Sequence, residues 1–321
     1  MKYLKPLFVM TVLGAVTLPA AAQNAVRWSG LFYMDYEYLL SSTDQEAEGE
    51  NGFDYRRLYL TADYTLSEEF SGRARLESVS GTSTTSPYVK DLYLKWKGAI
   101  GQGQDLVFGV QSPPVFTLSE KIWGYRSLEK TIMDRQKIAS SRDMGIAATG
   151  KLTSDGDLTY GVMLGNNNSI RGEDDKYKRV YGQVAWQSDN VAASVGGDFA
   201  AGDNRNAINT NAFVGYSAEQ FRVGAEGYYQ TIDFDTGPSM DKRGVSVWIV
   251  KPVGEKVEII GRGDYTGIDT GRVSTTETFI IGGVAFSPNP KVHLIPNLYL
   301  VDASDHSDPD ISGRVTLHAD F

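Results

Sequence analysis

The chain has no cysteine and only three histidines among its 321 residues. Without cysteine, a disulfide scaffold, a thiolate metal site and a cysteine nucleophile are all excluded. Positive charge is also scarce, since 31 Lys and Arg face 40 Asp and Glu and give a formal charge of -9. Phosphate backbones are bound by basic surfaces, so this balance argues against a nucleic-acid partner. A hydrophobic content of 41% is nevertheless typical of a folded chain.

Long apolar runs are missing too, apart from one at the N-terminus. Lys2 and Lys5 precede an apolar stretch at 7–18, and three alanines follow Pro19. This is the pattern of a secretory signal peptide, and we predict one at 1–22 with the exported chain at 23–321. A membrane anchor is the alternative, but a helix that spans a bilayer needs about 20 apolar residues.

From residue 25 to the end, apolar and polar residues alternate with period two, which is typical of β-strands. The connections between these runs alternate between tight turns and longer loops that are acidic, rich in glycine or both. The pattern predicts sixteen strands, at 25–41, 53–66, 69–80, 88–98, 104–111, 142–152, 157–166, 177–187, 190–201, 207–217, 221–233, 242–251, 256–266, 277–286, 291–302 and 310–321.

The predicted strands have the length that a tilted strand needs to cross a bilayer, which is about ten residues. A sheet in lipid must close on itself, because every backbone polar group needs a partner. We therefore predict an all-β transmembrane antiparallel barrel of about 16 strands in an outer membrane, with a secreted soluble β protein as the alternative. Aromatic residues at the turn end of the strands fit an interface girdle: Trp28, Tyr64, Phe70, Trp96, Trp186, Tyr216, Phe221, Phe286 and Phe321.

The connector at 112–141 is far longer than the others and breaks the alternating pattern. It mixes acidic and basic residues, among them Arg126, Lys130 and Asp134. A barrel of about sixteen strands leaves an aqueous lumen, and a long loop in a compact protein is usually functional. We therefore predict that this loop folds inward as a constriction loop. A flap on the outer surface is the alternative.

Alternation also assigns side chains to the lumen, independently of any relative. Pairing Ser80 with Tyr88 across their loop would set Arg73 beside Lys95, Arg75 beside Tyr93 and Glu77 beside Asp91. The result would be a band of basic side chains, with Asp63 as a partial counter-charge, that faces the constriction loop and selects solutes. In the alternative interpretation, these acidic and basic side chains only form ion pairs with one another and do not select solutes. The candidate pore-lining residues are Arg57, Tyr59, Arg73, Arg75, Tyr93, Lys95 and Lys97.

Five segments between residues 50 and 166 resemble a known family in their order and wording: Gly52–Leu60 (GFDYRRLYL), Val89–Leu94 (VKDLYL), Ser127–Arg135 (SLEKTIMDR), Arg142–Gly150 (RDMGIAATG) and Leu158–Gly165 (LTYGVMLG). They are similar to the phosphate-selective porin group of Gram-negative outer membranes. The resemblance implies a trimeric sixteen-strand channel with an inward loop and an arginine-lined path for anions. It adds Arg135 and Arg142 to the candidate site. The chain differs from the group in its shorter loops and acidic balance.

The sequence therefore predicts a porin, a passive diffusion channel for small hydrophilic solutes, and the resemblance implies a preference for anions or phosphate. We expect outer-membrane lipid and small solutes as partners, a homotrimer, and no cofactor, metal or nucleic acid. A structural or adhesive barrel would instead have a lumen filled by bulky groups, whereas Gly, Ser, Thr, Asn and charged residues are assigned to this lumen.

An outer-membrane hydrolase is the enzymatic alternative, although the prediction is that the protein is not an enzyme. Such a hydrolase would need serine and histidine together, and no serine is obviously paired with a histidine in the sequence. His293 and His318 both point inward near the turn end of neighbouring strands. A metal site or a pH-responsive pair with Asp320 is one interpretation, to which the sequence alone gives little support.

Overall fold

Sixteen antiparallel strands form one closed barrel in the computed structural model, which describes residues 26–80 and 86–321. The predicted signal peptide lies outside these residues. The strands pair in sequence order, and the first pairs with the last, which confirms the predicted fold class. Their bounds are β1 Val26–Ser41, β2 Asn51–Thr65, β3 Phe70–Ser78, β4 Tyr88–Gly101, β5 Gln104–Gln111, β6 Asp143–Lys151, β7 Leu158–Gly165, β8 Arg179–Gln187, β9 Val191–Ala200, β10 Arg205–Ser217, β11 Arg222–Phe234, β12 Met240–Gly254, β13 Val257–Asp269, β14 Ser274–Asn289, β15 Val292–Ala303 and β16 Asp310–Asp320.

Helical structure in the described residues is confined to loops. A single 3-10 turn lies at Gln45–Ala47, and the connector between β5 and β6 contains α1 (Thr117–Trp123) and α2 (Ile132–Arg135). No helix of the described chain is long and apolar enough to cross a bilayer.

The outer face of the barrel is apolar around its circumference. Val195 on β9 and Leu298 on β15, six strands apart, are 61% and 57% exposed, which suits a surface covered by hydrocarbon. At the turn end, Phe70 packs on Trp96 with ring centroids 5.5 Å apart, and Trp28 is 64% exposed. The aromatic residues therefore lie where a membrane interface would meet the barrel.

Two β-bulges interrupt the alternation of β2 and β4. Tyr33 pairs with Arg57 and Met34 with Tyr55, so Arg56 is the extra residue. In β4, Asp91 pairs with Arg75 and Val89 with Leu76, so Lys90 is the extra residue. At a bulge, two consecutive side chains can point to the same side of the sheet. Both Lys90 and Asp91 are accordingly buried inside the barrel.

The predicted register between β3 and β4 is wrong. Arg73 pairs with Tyr93 rather than Lys95, Arg75 with Asp91 rather than Tyr93, and Glu77 with Tyr88 rather than Asp91. The shift is three residues at Glu77 and two at Arg75 and Arg73, because the bulge adds Lys90 to β4 between these positions. The shift of two residues follows from the end of β3 at Ser78, because the amide of Ser80 donates instead to the carbonyl of Tyr55 on β2.

The interior differs from the uniformly polar lumen expected from the sequence. Buried apolar side chains cover the inner face of β12–β15, including Trp248, Ile260 and Phe279, and they pack against Trp123 and Leu128 of the long connector. The inner faces of β1–β4 carry a cluster of charged pairs instead. One side of the barrel therefore holds a dry core, and the other side is charged.

Candidate functional site

The connector 112–141, hereafter the inner loop, lies inside the barrel. Its helix α1 contacts β9, β10 and β11, and α2 contacts β11 and β12. Trp123, Leu128, Ile132 and Met133 have no exposed surface. Gly124 ends α1 with φ of 71°, a left-handed conformation that glycine adopts at low cost. The apolar side chains of the inner loop thus fix it against one side of the barrel.

Side chains of the barrel wall bind the backbone carbonyls of the inner loop. Arg56 donates to the carbonyls of Ser127 and Leu128, and the Tyr299 hydroxyl also donates to that of Leu128. Arg179 donates to the Ile138 carbonyl at 2.8 Å. Buried carbonyls need such partners, so these bonds hold the loop in one position. None of these bonds can be inferred from the sequence, because each joins residues far apart in the chain.

The charges of the inner loop are largely paired with one another or with the wall. Arg126 forms ion pairs with Glu120 and, at 2.8 Å, with Asp134. Burial alone would lower the pKa of Arg126, but these two carboxylates raise it above its ordinary value. Arg135 donates to Glu277 on β14 at 2.6 Å. Arg126 is therefore held in place by acids of its own loop.

On the inner face of β1–β3, guanidinium groups and tyrosine rings alternate. The Arg57 guanidinium carbon lies 5.7 Å from the centroid of the Tyr33 ring and 5.0 Å from that of Tyr59. The guanidinium carbon of Arg75 lies 4.6 Å from the centroid of the same Tyr59 ring. At these distances a cation is attracted to the face of an aromatic ring. The rings therefore fix the positions of both cations.

Two carboxylates connect this wall to four basic groups. Glu77 binds Arg57 and Lys90, each at 2.9 Å. Asp91 binds Arg75 at 3.2 Å and also pairs with Arg142, which follows the inner loop. Both acids are buried. Four cations share two anions, so this network, hereafter the basic wall, keeps an excess of positive charge.

Two cavities lie between the basic wall and the inner loop. The cavity on the side of the long loops has a volume of about 430 Å³, and the cavity on the turn side has about 730 Å³. Tyr33, Arg57 and Arg126 border both of them. The two cavities therefore share a border made of Tyr33 and Arg57 on the wall and Arg126 on the inner loop.

Basic side chains predominate around both cavities. Six basic and four acidic side chains border the loop-side cavity: Arg56, Arg57, Lys90, Arg126, Lys130 and Arg314 against Asp54, Glu77, Glu129 and Asp134. Seven basic and two acidic side chains border the turn-side cavity: Arg27, Arg57, Arg75, Lys121, Arg126, Arg142 and Lys291 against Glu120 and Asp320.

The structure brings together only some of the residues that the sequence proposed. The residues around the two cavities are Arg57, Tyr59, Arg75, Arg126, Lys130, Asp134 and Arg142. The others lie elsewhere: Arg73 binds Asp63 at 2.7 Å, Tyr93 pairs with Arg73 in the sheet, Lys95 binds Asp105 at 3.2 Å, Lys97 is exposed at the turn end, and Arg135 contacts β14.

Sequence reasoning missed Arg56 and Lys90 at the site, since strict alternation turns both outward. A signal was present, because each stands next to another charged residue within a predicted strand. Two consecutive charges cannot alternate between lipid and water without placing one in lipid, and a bulge resolves that conflict.

The whole barrel is similar to solved outer-membrane proteins. The anion-selective porin from Comamonas acidovorans gives a TM-score of 0.70 at 14% identity, over 93% of this chain and 100% of that one. The trimer form of in-vitro folded OmpT, an outer membrane protein of Vibrio cholerae, gives 0.68 at 13% identity, over 93% and 99%. OmpF of Salmonella typhi, in complex with daunomycin, gives 0.70 at 12% identity, over 93% and 98%. No family model and no curated protein sequence matches the chain.

At these identities the similarity establishes the fold. The chain is a closed sixteen-strand barrel of the kind found in outer-membrane porins. Its apolar outer face requires a lipid environment, and the two observations together identify an outer-membrane protein.

Proposed function

We propose that the protein is a porin through which small hydrophilic solutes diffuse passively, with a preference for anions. The observation that carries this proposal is that Tyr33, Arg57 and Arg126 border both cavities. A solute that crosses the barrel there passes between a guanidinium of the wall and a guanidinium of the loop. Cations on both sides of a passage favour anions at that point and disfavour cations.

The positive charge is local to the passage and does not reflect the composition of the chain. The whole chain carries -9, whereas seven basic side chains and two acidic ones border the turn-side cavity. Charges that line a narrow aqueous space act on solutes within the Debye length, which is about 8 Å at physiological ionic strength. The same excess would attract inorganic phosphate, as the sequence resemblance implies, as well as other small anions.

Planar-bilayer recording tests this function. We expect stable stepwise conductance from the folded protein. In a KCl gradient, we expect a reversal potential displaced toward the equilibrium potential of chloride. Silence from folded protein would overturn the channel and favour a structural or adhesive barrel. Conductance with cation preference would overturn the anion preference alone. Adding phosphate in place of chloride then measures whether phosphate is preferred.

The proposal includes no chemical reaction, but one contact required by a hydrolase is present. The Ser287 hydroxyl lies 2.6 Å from Nδ1 of His293, whereas the sequence analysis had found no such pair. In a serine hydrolase a carboxylate orients the histidine bound to the serine, and here the neighbouring carboxylate, Asp320, contacts His318 instead. Ester hydrolysis that is lost in Ser287→Ala would overturn the non-enzymatic proposal.

We also propose that the barrel assembles as a homotrimer. The sequence resemblance implies this state, and the trimer form of OmpT shares the fold. Chemical cross-linking of the protein in its native membrane should give a ladder that ends at three chains. A ladder that ends at one chain would contradict this assembly.

A further inference from the structure

Two of the three histidines of the chain are side by side near the turn end of the barrel. His293 on β15 and His318 on β16 occupy directly paired positions, and their ring centroids are 5.0 Å apart. Asp320 stands two residues beyond His318 on the same strand and brings a carboxylate oxygen to 3.2 Å from Nε2 of His318. Alternation places all three on the inner side of the barrel.

The hydrogen bonds of this group leave imidazole nitrogens available. The Ser287 hydroxyl lies 2.6 Å from Nδ1 of His293, and within the described part of the chain Nε2 of that ring has no hydrogen-bond partner. Nε2 of His318 is buried and has no hydrogen-bond partner among the described residues, although an Asp320 carboxylate oxygen lies 3.2 Å away. A buried nitrogen needs a polar partner, and a cation or a proton between this nitrogen and the carboxylate would supply one.

Two neutral imidazoles and a carboxylate are a donor set for borderline divalent metals, with zinc as the usual case. Paired strands fix the backbones of His293 and His318 at the spacing of cross-strand neighbours. A metal-binding histidine usually donates its other ring N–H to an acceptor that sets the tautomer and the ring orientation, and the Ser287 hydroxyl can accept that bond from Nδ1 of His293.

We propose that His293, His318 and Asp320 bind a divalent transition-metal ion of the zinc class at the turn-side mouth of the barrel, with Ser287 as the partner that orients His293. The donor atoms of the three residues do not converge on one point in the structure. Binding therefore turns the two rings about their side-chain torsions until both Nε2 atoms and the carboxylate face the ion. Water completes the tetrahedral coordination of the ion.

Asp320 also borders the turn-side cavity, so the ion would be located at the wall of that cavity. The site does not depend on whether the barrel conducts, because binding is measured on the folded protein alone. A metal-binding failure and a channel failure are therefore separate results.

Zinc titration by calorimetry on the folded, detergent-solubilised protein tests the site. We expect one zinc ion per chain, with affinity reduced at least about tenfold in His293→Ala and in His318→Ala. His306→Ala is the matched control, because His306 lies on an exposed loop between β15 and β16, and it should bind zinc like the parent protein. Heat-modifiable gel mobility confirms that each variant is folded.

Copper(II) provides a second measurement that does not depend on affinity. Its electron paramagnetic resonance spectrum reports the number of bound nitrogens, and we expect two in the parent chain and one in either histidine variant. Absence of saturable zinc binding, or binding that survives in both His293→Ala and His318→Ala, would overturn the site. Loss of binding in His306→Ala would also overturn it, since the ion would then lie on the outer loop.

Discussion

Arg56 and Arg57 are consecutive in β2, yet both side chains point into the barrel because Arg56 is the extra residue of a β-bulge. Their roles differ. Arg56 pairs with Asp35 and donates to two carbonyls of the inner loop, whereas Arg57 bonds to Glu77 through Nε. Among the described residues, the terminal nitrogens of Arg57 have no hydrogen-bond partner. Arg56 thus positions the loop, and Arg57 presents donors to the passage.

Replacing Arg57 by glutamine should reduce the anion preference of the channel. A unit charge about 4 Å from an ion is worth about 1 kcal/mol in water, so the anion-to-cation permeability ratio should fall several-fold. The reversal potential in a KCl gradient measures that ratio. Arg73→Gln is the matched control, because Arg73 binds Asp63 and borders neither cavity. Equal shifts in the two variants would contradict the assigned path.

Replacing Arg56 by glutamine should loosen the inner loop and change ion preference less. The substitution leaves Asp35 and the Ser127 and Leu128 carbonyls short of a charged donor, at a cost of about 1 to 3 kcal/mol. Single-channel records should show added fluctuation between conductance levels, while the reversal potential moves less than in Arg57→Gln. Single-channel records with one conductance level and no added fluctuation would show that the apolar contacts alone hold the loop.

Replacing Glu77 by glutamine should raise the anion preference and lower stability. Glu77 is the shared partner of Arg57 and Lys90, and its side chain is 2% exposed. Removing one partner of a buried ion pair leaves an uncompensated charge, so the free energy of unfolding should fall by about 3 kcal/mol. Urea unfolding in lipid vesicles measures the stability, and the reversal potential measures the selectivity. Opposite signs of the two effects distinguish this result from general damage to the barrel.

Replacing Trp123 by alanine should detach part of the inner loop. Trp123 has no exposed surface, its ring centroid lies 5.3 Å from that of Trp248, and its indole N–H donates to the Glu129 carbonyl at 2.8 Å. Truncating a buried tryptophan costs about 3 to 5 kcal/mol, and single-channel conductance should increase as the loop moves. Trp186→Ala removes the same side chain from the lipid-facing side and should leave conductance unchanged.

Several local features of the sequence identified the barrel. Strand bounds agree with the prediction to within a few residues, because a lipid-facing and a water-facing side impose strict alternation. The β3–β4 register was wrong because local alternation is unchanged by a shift of two residues, and the sequence alone does not reveal the end of β3 or the bulge at Lys90. The prediction that Arg73 lies on β3 and Lys95 on β4 was correct. The prediction that they pair directly was wrong, for the same reason.

The chain by itself determined that residues must pair into a closed sheet, since alternation with period two and the demands of backbone hydrogen bonding in lipid allow no open edge. Only the tertiary structure decided which charges meet. The position of Arg126 opposite Arg57 depends on the packing of Trp123 and Leu128 against β12–β15. Such contacts join residues more than a hundred positions apart, and no local pattern records them.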